Sequence, residues 1–369
     1  MSERGLITAG QRVAVKGPES FRDAVSAATG ERLTRIDDPY DLLLDPLERA
    51  PSLREFDPVT RGVWVGPDGA LLSSVGGSGF TQLWSPFSGP APDAAAGTSA
   101  RVRVSSRWAP SSAERGAARV LRQRNRSLRA QVLLHYPALW SALAVGGMAP
   151  LHASVVEVEG VPVLLAGPGG VGKSSLVADA LARGARATCD NLGVSDGHIV
   201  HGVVEPLRLP VRHRSTATTP ASASAGSRAA HGRREHVFTG RLTSLRPALV
   251  AVVRRDDRGS TRLEPIRQER AARELVAGTY AAGELQRFWP LVAHLALAGF
   301  GPVHPDLEDV ADRLTRSLPC YELTLGRPGP ATTAAAAGRL ASILGPELLE
   351  AGSRPRRLQI ATPRTGGPS

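Results

Sequence analysis

A short glycine-rich segment constrains the fold of this 369-residue chain more than any other feature. An apolar run at 163–166 precedes the segment and a helix-forming stretch follows it. Glycines in such a segment let backbone N–H groups turn inward around phosphate oxygens, and the helix N-terminus adds a partial positive charge. The segment therefore predicts a phosphate loop between a strand and a helix. It consists of Gly167, Pro168, Gly169, Gly170, Val171, Gly172, Lys173 and Ser174, with Ser175 next.

Two side chains of this loop indicate what it binds. Lys and Arg together number 45, yet only Lys16 and Lys173 are lysines. A compact ammonium fits between phosphates, whereas the broad guanidinium of arginine does not replace it there. We expect Lys173 to bridge the outer phosphates of a nucleoside triphosphate and Ser174 to offer its hydroxyl to Mg²⁺. ATP with Mg²⁺ is the predicted ligand of residues 167–175.

The strand that enters the loop is predicted to belong to a hairpin. Residues 155–158 form an apolar-rich run, and only Glu159 and Gly160 separate it from the next strand. Such a short connection produces an antiparallel pair, whereas most phosphate-loop folds reach this strand by a parallel crossover. The hairpin argues against GTPases and transporter ATPases. The sequence also contains no serine-rich ABC signature after the loop and no Asn-Lys-x-Asp motif for reading a base.

Upstream of the hairpin, the sequence predicts a smaller α+β region. A hairpin is expected over 62–72, and residues 88–100 have the composition of a linker. Ser111 and Glu114 form a capping box that opens a helix to about residue 134. One helix face carries Arg115, Arg119, Arg122, Arg126 and Arg129. We interpret this face as solvated, with a docking face for an acidic peptide as the alternative.

Downstream of the loop, helices and strands alternate. The predicted order is a helix at 173–183 ended by Gly184, a strand at 185–189, a strand at 248–253, a helix at 268–279, a strand at 319–325 and a helix at 331–344. Residues 213–236 hold few apolar side chains and predict a mobile insertion. Arg233 and Arg234 at its end are either solubilising or close over bound phosphates.

These patterns divide the chain into three predicted segments. Residues 1–109 form an α+β region, 110–347 a phosphate-loop domain with a mixed sheet, and 348–369 a basic disordered tail. Apolar residues make up 42%, enough for a sizeable core, and charged residues 21%. The predicted fold class is therefore α/β.

The charge balance bears on partners and location. The formal net charge is +11, which suits acidic partners, although the arginine bias also fits genome composition. Nucleic acid is disfavoured because aromatic residues are only 4% and do not alternate with the arginines. With no signal peptide, no spanning segment and two cysteines, the chain is expected to be soluble and cytoplasmic. The sequence leaves open whether it forms a homo-oligomer.

The middle of the chain resembles the HPr kinase/phosphorylase-like family, which shares its phosphate-loop fold with phosphoenolpyruvate carboxykinases. The resemblance lies in Leu151-His152-Ala153-Ser154 before the hairpin, the G-P-x-G-x-G-K-S-S loop, Arg183-Gly184-Ala185 after it and an aspartate, Asp190, that closes the next strand. The resemblance covers about residues 112–345, whereas the first hundred residues match only vaguely. The resemblance implies a kinase core that transfers a γ-phosphoryl group to a serine hydroxyl.

The resemblance also implies residue roles. Asp190 takes the place of the catalytic base, and His152 lies beside it; a packed structural histidine is the alternative for His152. The family usually has two consecutive aspartates where this chain has Asp190 and Asn191. Asn191 can bind Mg²⁺ through its carbonyl oxygen but brings no charge, and Glu205 is the candidate for a second acidic metal ligand, together with Ser174. A strand-edge position is the alternative for Glu205.

The predicted function is therefore an ATP-dependent kinase acting on a Ser or Thr hydroxyl of a peptide or protein. Shorter members of the resembling family modify peptides in natural-product pathways, which is the expected setting. A non-catalytic nucleotide-binding partner protein, a small-molecule kinase and a polynucleotide kinase are the alternatives.

Overall fold

The computed structural model describes residues 3–37, 39–86, 102–210, 233–236, 238, 240–302, 304–327 and 330–343. The predicted linker at 88–100 and tail at 348–369 lie outside these residues, as does most of the insertion at 213–236. Within the described ranges, no helix is both long and apolar enough to cross a membrane. The architecture is a mixed α/β fold with several sheets.

The N-terminal region forms a nine-stranded mixed sheet with the order β3-β1-β2-β4-β9-β8-β7-β6-β5. Its strands are β1 (Glu3–Thr8), β2 (Gln11–Val15), β3 (Thr34–Ile36), β4 (Leu42–Pro46), β5 (Asp57–Thr60), β6 (Val63–Gly66), β7 (Gly69–Leu72), β8 (Phe80–Pro86) and β9 (Val102–Trp108), and helix α1 (Glu19–Thr29) follows β2. β4 runs parallel to β2 and β9, whereas the other neighbours are antiparallel. The predicted hairpin is β6–β7, with Val63 opposite Leu72.

The helix that follows Ser111 is longer than predicted. The Ser111 hydroxyl accepts from the Glu114 N–H at 3.2 Å, and the Glu114 carboxylate accepts from the Ser111 N–H at 2.7 Å, so the capping box is present. The helical segment then continues past residue 134, because its next turns are apolar on all sides and buried all round. Its parts are α2 (Ser112–Val120), α3 (Arg122–Ala130), a π-helical turn (Gln131–His135) and α4 (Tyr136–Gly146).

The glycine-rich loop belongs to a six-stranded mixed sheet with the order β13-β11-β12-β19-β21-β20. The remaining strands are β10 (Ala149–Leu151), β11 (Ser154–Val158), β12 (Val161–Ala166), β13 (Ala187–Cys189), β14 (Gly193–Ser195), β15 (Val200–Gly202), β16 (Leu207–Pro210), β17 (Arg233–His236), β18 (Ser244–Leu245), β19 (Leu249–Arg255), β20 (Arg262–Pro265) and β21 (Cys320–Leu325). The predicted hairpin is β11–β12, with Val155 opposite Leu164. β12 pairs in parallel with β19, and β19 pairs in parallel with β21.

Helices cover both faces of this sheet. They are α5 (Lys173–Ala182), α6 (Gln268–Tyr280), α8 (Leu307–Arg316) and α9 (Pro330–Ile343), while α7 (Phe288–Leu297) packs elsewhere. Val163 and Leu165 of β12 join the cluster with α5 and α9, whereas Leu164 and Ala166 join the cluster with α6 and α8. Successive side chains of a strand point to opposite faces, so β12 is apolar on both sides.

A third hydrophobic cluster links the nine-stranded sheet to later helices. Trp84 of β8 meets Trp140 of α4 edge to face, with ring centroids 5.0 Å apart, and Phe288 of α7 belongs to the same cluster. The apolar side chains of α4 explain this continuity, because a helix that is apolar all round needs neighbours on every side. The division at residues 109 and 110 stays a prediction, and this core runs across it.

The end of the predicted insertion has regular structure. Residues 233–236 form β17, which pairs antiparallel with β16, and Leu207 lies opposite His236. The pairing depends on backbone hydrogen bonds, so the polar side chains that suggested a mobile segment do not prevent it. Residues 213–232 lie outside the described part of the chain.

Candidate functional site

The glycine-rich loop connects the carboxyl end of β12 to the N-terminus of α5. Gly172 is the N-cap of α5 with φ of 117°, and no side chain caps this helix. Gly167 has φ of 123°, and a Cβ atom there would lie 2.5 Å from the Val253 carbonyl oxygen of β19. Residues 168–170 are exposed. An uncapped helix N-terminus next to an exposed glycine turn offers the backbone N–H groups that an anion requires.

Lys173 begins α5 and folds back onto the loop. Its Nζ donates to the Gly167 carbonyl oxygen at 2.6 Å and to the Pro168 carbonyl oxygen at 3.0 Å. Burial lowers the pKa of Lys173 to about 8, although the negative charges of Asp190 and Glu284 act in the opposite direction. A bound anion would restore the full charge of this ammonium, because opposite charge favours the protonated form.

Asp190 follows β13 and is only 4% exposed. The Ser174 hydroxyl lies near its carboxylate, whereas Oδ1 has no hydrogen-bond partner among the described residues. Burial raises the pKa of Asp190 to about 6, against the effects of the nearby Ser174 hydroxyl and of the positive charge on Lys173. A buried carboxylate oxygen without a partner destabilises the fold. A ligand or a reacting group would supply that partner, so Oδ1 is available to bind one.

His152 is held between two elements that are distant in sequence. Its backbone N–H donates to the Thr279 hydroxyl at 3.1 Å, and its Nδ1 lies 3.1 Å from the Gly278 carbonyl oxygen at the end of α6. Its Nε2 lies 3.1 Å from the Asn191 side-chain oxygen. Burial lowers the pKa of His152 to about 4, and the charge of Lys173 adds to this effect. The imidazole is therefore neutral at physiological pH.

The neutral imidazole determines how the Asn191 amide is oriented. A neutral ring has one N–H, yet both ring nitrogens face oxygen atoms, and Asn191 Nδ2 is buried without a described partner. Exchanging the amide oxygen and nitrogen satisfies both side chains, because Nδ2 then donates to Nε2 while Nδ1–H donates to Gly278. The Asn191 oxygen then takes the unpaired position, where it can bind a cation.

Glu205 lies between β15 and β16 and is 2% exposed. Its Oε2 lies 3.5 Å from Arg208, and its Oε1 has no hydrogen-bond partner in the described part of the chain. Burial raises the pKa of Glu205 to about 7, chiefly against the charge of Arg208. Arg241 fixes the backbone here, donating to the Glu205 carbonyl oxygen at 2.6 Å and to the Glu31 carboxylate at 2.8 Å.

These side chains meet at one cavity of about 500 Å³. Five of the residues singled out in the sequence line it, namely Ser174, Asp190, Asn191, Glu205 and Arg233. His152 reaches the cavity only through Asn191, and loop residues 167–172 are not part of the wall. The cavity is also lined by residues that no sequence motif predicted, namely Arg124, Gln131, Arg208, Glu284 and Arg287. Arg124 lies in the arginine-rich helix but off the predicted face, and no motif marks residues 283–287.

The cavity wall fits a divalent cation that shares its coordination with phosphates. Among the described residues, no three His, Cys, Asp or Glu side chains form a group able to hold a metal ion by themselves. Mg²⁺ in phosphate-binding sites needs fewer protein ligands, because water and phosphate oxygens complete its octahedron. The Ser174 hydroxyl, the Asn191 side-chain oxygen and the unpaired Oε1 of Glu205 are hard ligands of the required kind.

The similarity of this chain to known proteins is structural and remote. No protein-family model and no curated protein sequence matches the chain. Among solved structures, the chain is similar to the HPr(Ser) kinase/phosphatase from Coxiella burnetii, with 11% sequence identity and a TM-score of 0.25. The similarity covers 53% of this chain and 95% of that one. It indicates a remote structural relationship and no more.

Proposed function

We propose that this chain is an ATP-dependent phosphotransferase that moves the γ-phosphoryl group to a Ser or Thr hydroxyl of a peptide or protein. The observation that carries this proposal is the unpaired Oδ1 of Asp190, buried at a cavity beside Ser174 at the start of the loop helix. A carboxylate in this position lies between a phosphate-binding loop and a space large enough for an acceptor.

The loop would hold the donor. The triphosphate is expected along residues 167–175, where the uncapped N-terminus of α5 presents its N–H groups. Lys173 Nζ would exchange the carbonyl oxygens of Gly167 and Pro168 for phosphate oxygens. Arg233 lies close enough to lower the pKa of both Lys173 and Asp190, so its positive charge would also act on the phosphates.

Asp190 would activate the acceptor. Its Oδ1 accepts the hydroxyl proton as the acceptor oxygen forms a bond to the γ-phosphorus, while the bond from that phosphorus to the β–γ bridging oxygen breaks and ADP leaves. The proton on Asp190 then passes to solvent. With a pKa of about 6, Asp190 is mostly deprotonated at neutral pH and ready to act as a base.

Four further residues would support this step. When bound, Mg²⁺ neutralises phosphate charge; Ser174 and Glu205 are its candidate protein ligands, with the Asn191 oxygen as a third. His152 is a positioning residue, because its neutral ring orients the Asn191 amide and does not reach the cavity wall itself. This arrangement suits a site that lacks the second aspartate.

A non-catalytic nucleotide-binding protein is the second candidate, and Asn191 is the observation that favours it. An amide in place of a second carboxylate weakens the charge available to a cation. Such a protein would bind ATP through the same loop but would transfer no phosphate.

The deciding experiment measures ATP binding and phosphate transfer on the same variants. Transfer is followed by the mass gain of Ser- and Thr-containing peptides incubated with ATP and Mg²⁺, and ATP affinity by calorimetry. Asp190→Asn should keep ATP affinity and lose transfer by about 10²–10⁴-fold, the usual contribution of a positioned base. Lys173→Ala should lose both. Asp312→Asn, at an exposed position of α8, is the matched control and should change neither.

Three outcomes would contradict the proposal. Full transfer by folded Asp190→Asn protein would exclude Asp190 as the base. ATP binding by the unmutated protein without transfer to any peptide would favour the nucleotide-binding alternative, and transfer to small hydroxylated compounds alone would favour a small-molecule kinase.

A further inference from the structure

The cavity has a second part that the donor does not explain. Ser174 is the only residue of the 167–174 loop on its wall, so most of the wall lies on the Asp190 side, where an acceptor would approach. This side is built from α3 and the π-helical turn, with Arg124 and Gln131, and from the segment before α7, with Glu284 and Arg287. We call these four residues and the wall between them the acceptor wall.

The two elements of the acceptor wall are joined by direct contacts. The Tyr136 hydroxyl lies 3.2 Å from the Gln131 side-chain oxygen and 3.1 Å from the Glu284 carbonyl oxygen, so it bridges the π-helical turn and the later segment. Tyr136 is itself buried and packs against Phe288 with ring centroids 5.8 Å apart. The acceptor wall is therefore one continuous surface on a rigid support. π-helical turns also occur frequently at functional sites.

The charges on this wall are not balanced internally. Arg208 has three carboxylates nearby, from Glu205, Glu235 and Glu284, at 3.5–4.0 Å. By contrast, neither Arg124 nor Arg287 forms an ion pair or a side-chain hydrogen bond with any residue that the structure describes. Both are exposed at the rim of the cavity. The entrance of the cavity therefore carries two unpaired positive charges, whereas acidic side chains lie deeper inside it.

The positions of these arginines oppose fold stability. Arg287 is the N-cap of α7 and Arg124 lies in the first turn of α3, and neither helix has an acidic residue in its first turn. A cation next to the positive end of a helix is unfavourable, because like charges repel. An anion bound between these arginines and the helix ends would be attracted by both. Anion binding therefore explains why arginines stand at these two positions, which packing does not explain.

We propose that the acceptor is an acidic peptide, and that Arg124 and Arg287 bind an Asp or Glu side chain next to its Ser or Thr while the hydroxyl lies at Asp190. This inference rests on the proposed phosphotransferase function. Arginine suits the task, because its planar guanidinium pairs with a carboxylate through two parallel hydrogen bonds. Gln131 and Gln286 on the same wall can bind the peptide backbone.

The first test compares a pair of short peptides that differ only in charge. Each carries one central serine, flanked by Asp in one peptide and by Asn in the other. The unmutated protein should phosphorylate the Asp peptide with a KM lower by roughly tenfold, and added NaCl should reduce this preference because the arginines are exposed. Arg124→Gln and Arg287→Gln should each remove a large part of the preference, and the double variant should remove it, with the KM for ATP unchanged. Arg119→Gln, an exposed position on α2 away from the cavity, is the matched control and should retain the preference.

A second readout separates this inference from the proposed function. The same peptides, labelled with a fluorophore, are titrated into the protein loaded with Mg²⁺ and a non-hydrolysable ATP analogue, and binding is read by anisotropy. Tighter binding of the Asp peptide that is lost in the double variant supports the acceptor wall even if no phosphate is transferred. Equal binding and equal transfer of the two peptides would overturn the inference while leaving the phosphotransferase proposal intact. A loss of ATP affinity in the arginine variants would assign these residues to the donor instead.

Discussion

Replacing Asp190 by Asn should make the protein more stable while removing its proposed activity. The folded chain holds this carboxylate almost fully buried with Oδ1 unpaired, so its charged form is disfavoured relative to the unfolded chain. Asn has nearly the same shape, carries no charge, and its oxygen can still face the Ser174 hydroxyl. The substitution therefore removes a desolvation cost without opening a hole.

The size of the effect follows from the pKa of Asp190. A rise from 3.8 to about 6 corresponds to about 3 kcal/mol of destabilisation at pH 7. Because the folded pKa is the higher one, this cost is nearly absent below pH 4, grows between about pH 4 and 6, and is constant above that range. The stability difference between variant and unmutated protein should thus fall to roughly half at pH 5 and below about 1 kcal/mol at pH 4.

Thermal unfolding at several pH values measures this difference. At pH 7 the Tm of Asp190→Asn should rise by about 3–6 °C, and urea unfolding should give the corresponding change in free energy. Asp312→Asn, at an exposed position, should leave the Tm unchanged at every pH. A Tm that falls, or a rise that is the same at pH 5 and pH 7, would show that the Asp190 carboxylate is paired or solvated in the folded protein, and the reasoning about its free oxygen would fail.

Three further results are expected. Lys173→Arg should bind ATP as poorly as Lys173→Ala, because the guanidinium is too broad for the loop. Calorimetry measures this affinity, and an Arg variant that still binds ATP would contradict the interpretation of the loop lysine. Gly167→Ala should lose at least about 2 kcal/mol of stability, because Gly167 has φ of 123° and a Cβ there would clash with Val253. Gly169→Ala is the control and should lose less than about 1 kcal/mol, because no atom lies within 4 Å of its Cβ. Equal Tm values of the two variants would refute this prediction. Asn191→Asp should raise the pKa of His152 by about one unit or more, read from the NMR titration of its ring protons, because a carboxylate would face Nε2; an unchanged titration would show that the two side chains do not touch.

The local elements of the site were predictable from the sequence because their signals are local. The strand, glycine turn and helix around residues 161–182 follow from periodicity and from positions where only glycine fits. The capping box at Ser111 and the hairpin β11–β12 are likewise decided within a few residues. The length of the helix after Ser111 was not predictable in this way, because the burial of α4 depends on the sheet and helices that surround it.

The cavity was decided by the tertiary structure. His152 meets Asn191 and Gly278, which are 39 and 126 residues away, and Tyr136 reaches the backbone of Glu284 across 148 residues. No local pattern encodes such contacts, because they arise only when sheets and helices pack together. The sequence by itself determined a glycine-rich loop between a strand and a helix, and an aspartate at the end of the following strand. Only the tertiary structure decided that this aspartate keeps one oxygen free, that Glu205 joins it, and that Arg124 and Arg287 line the same cavity, since burial and proximity are properties of the packed chain.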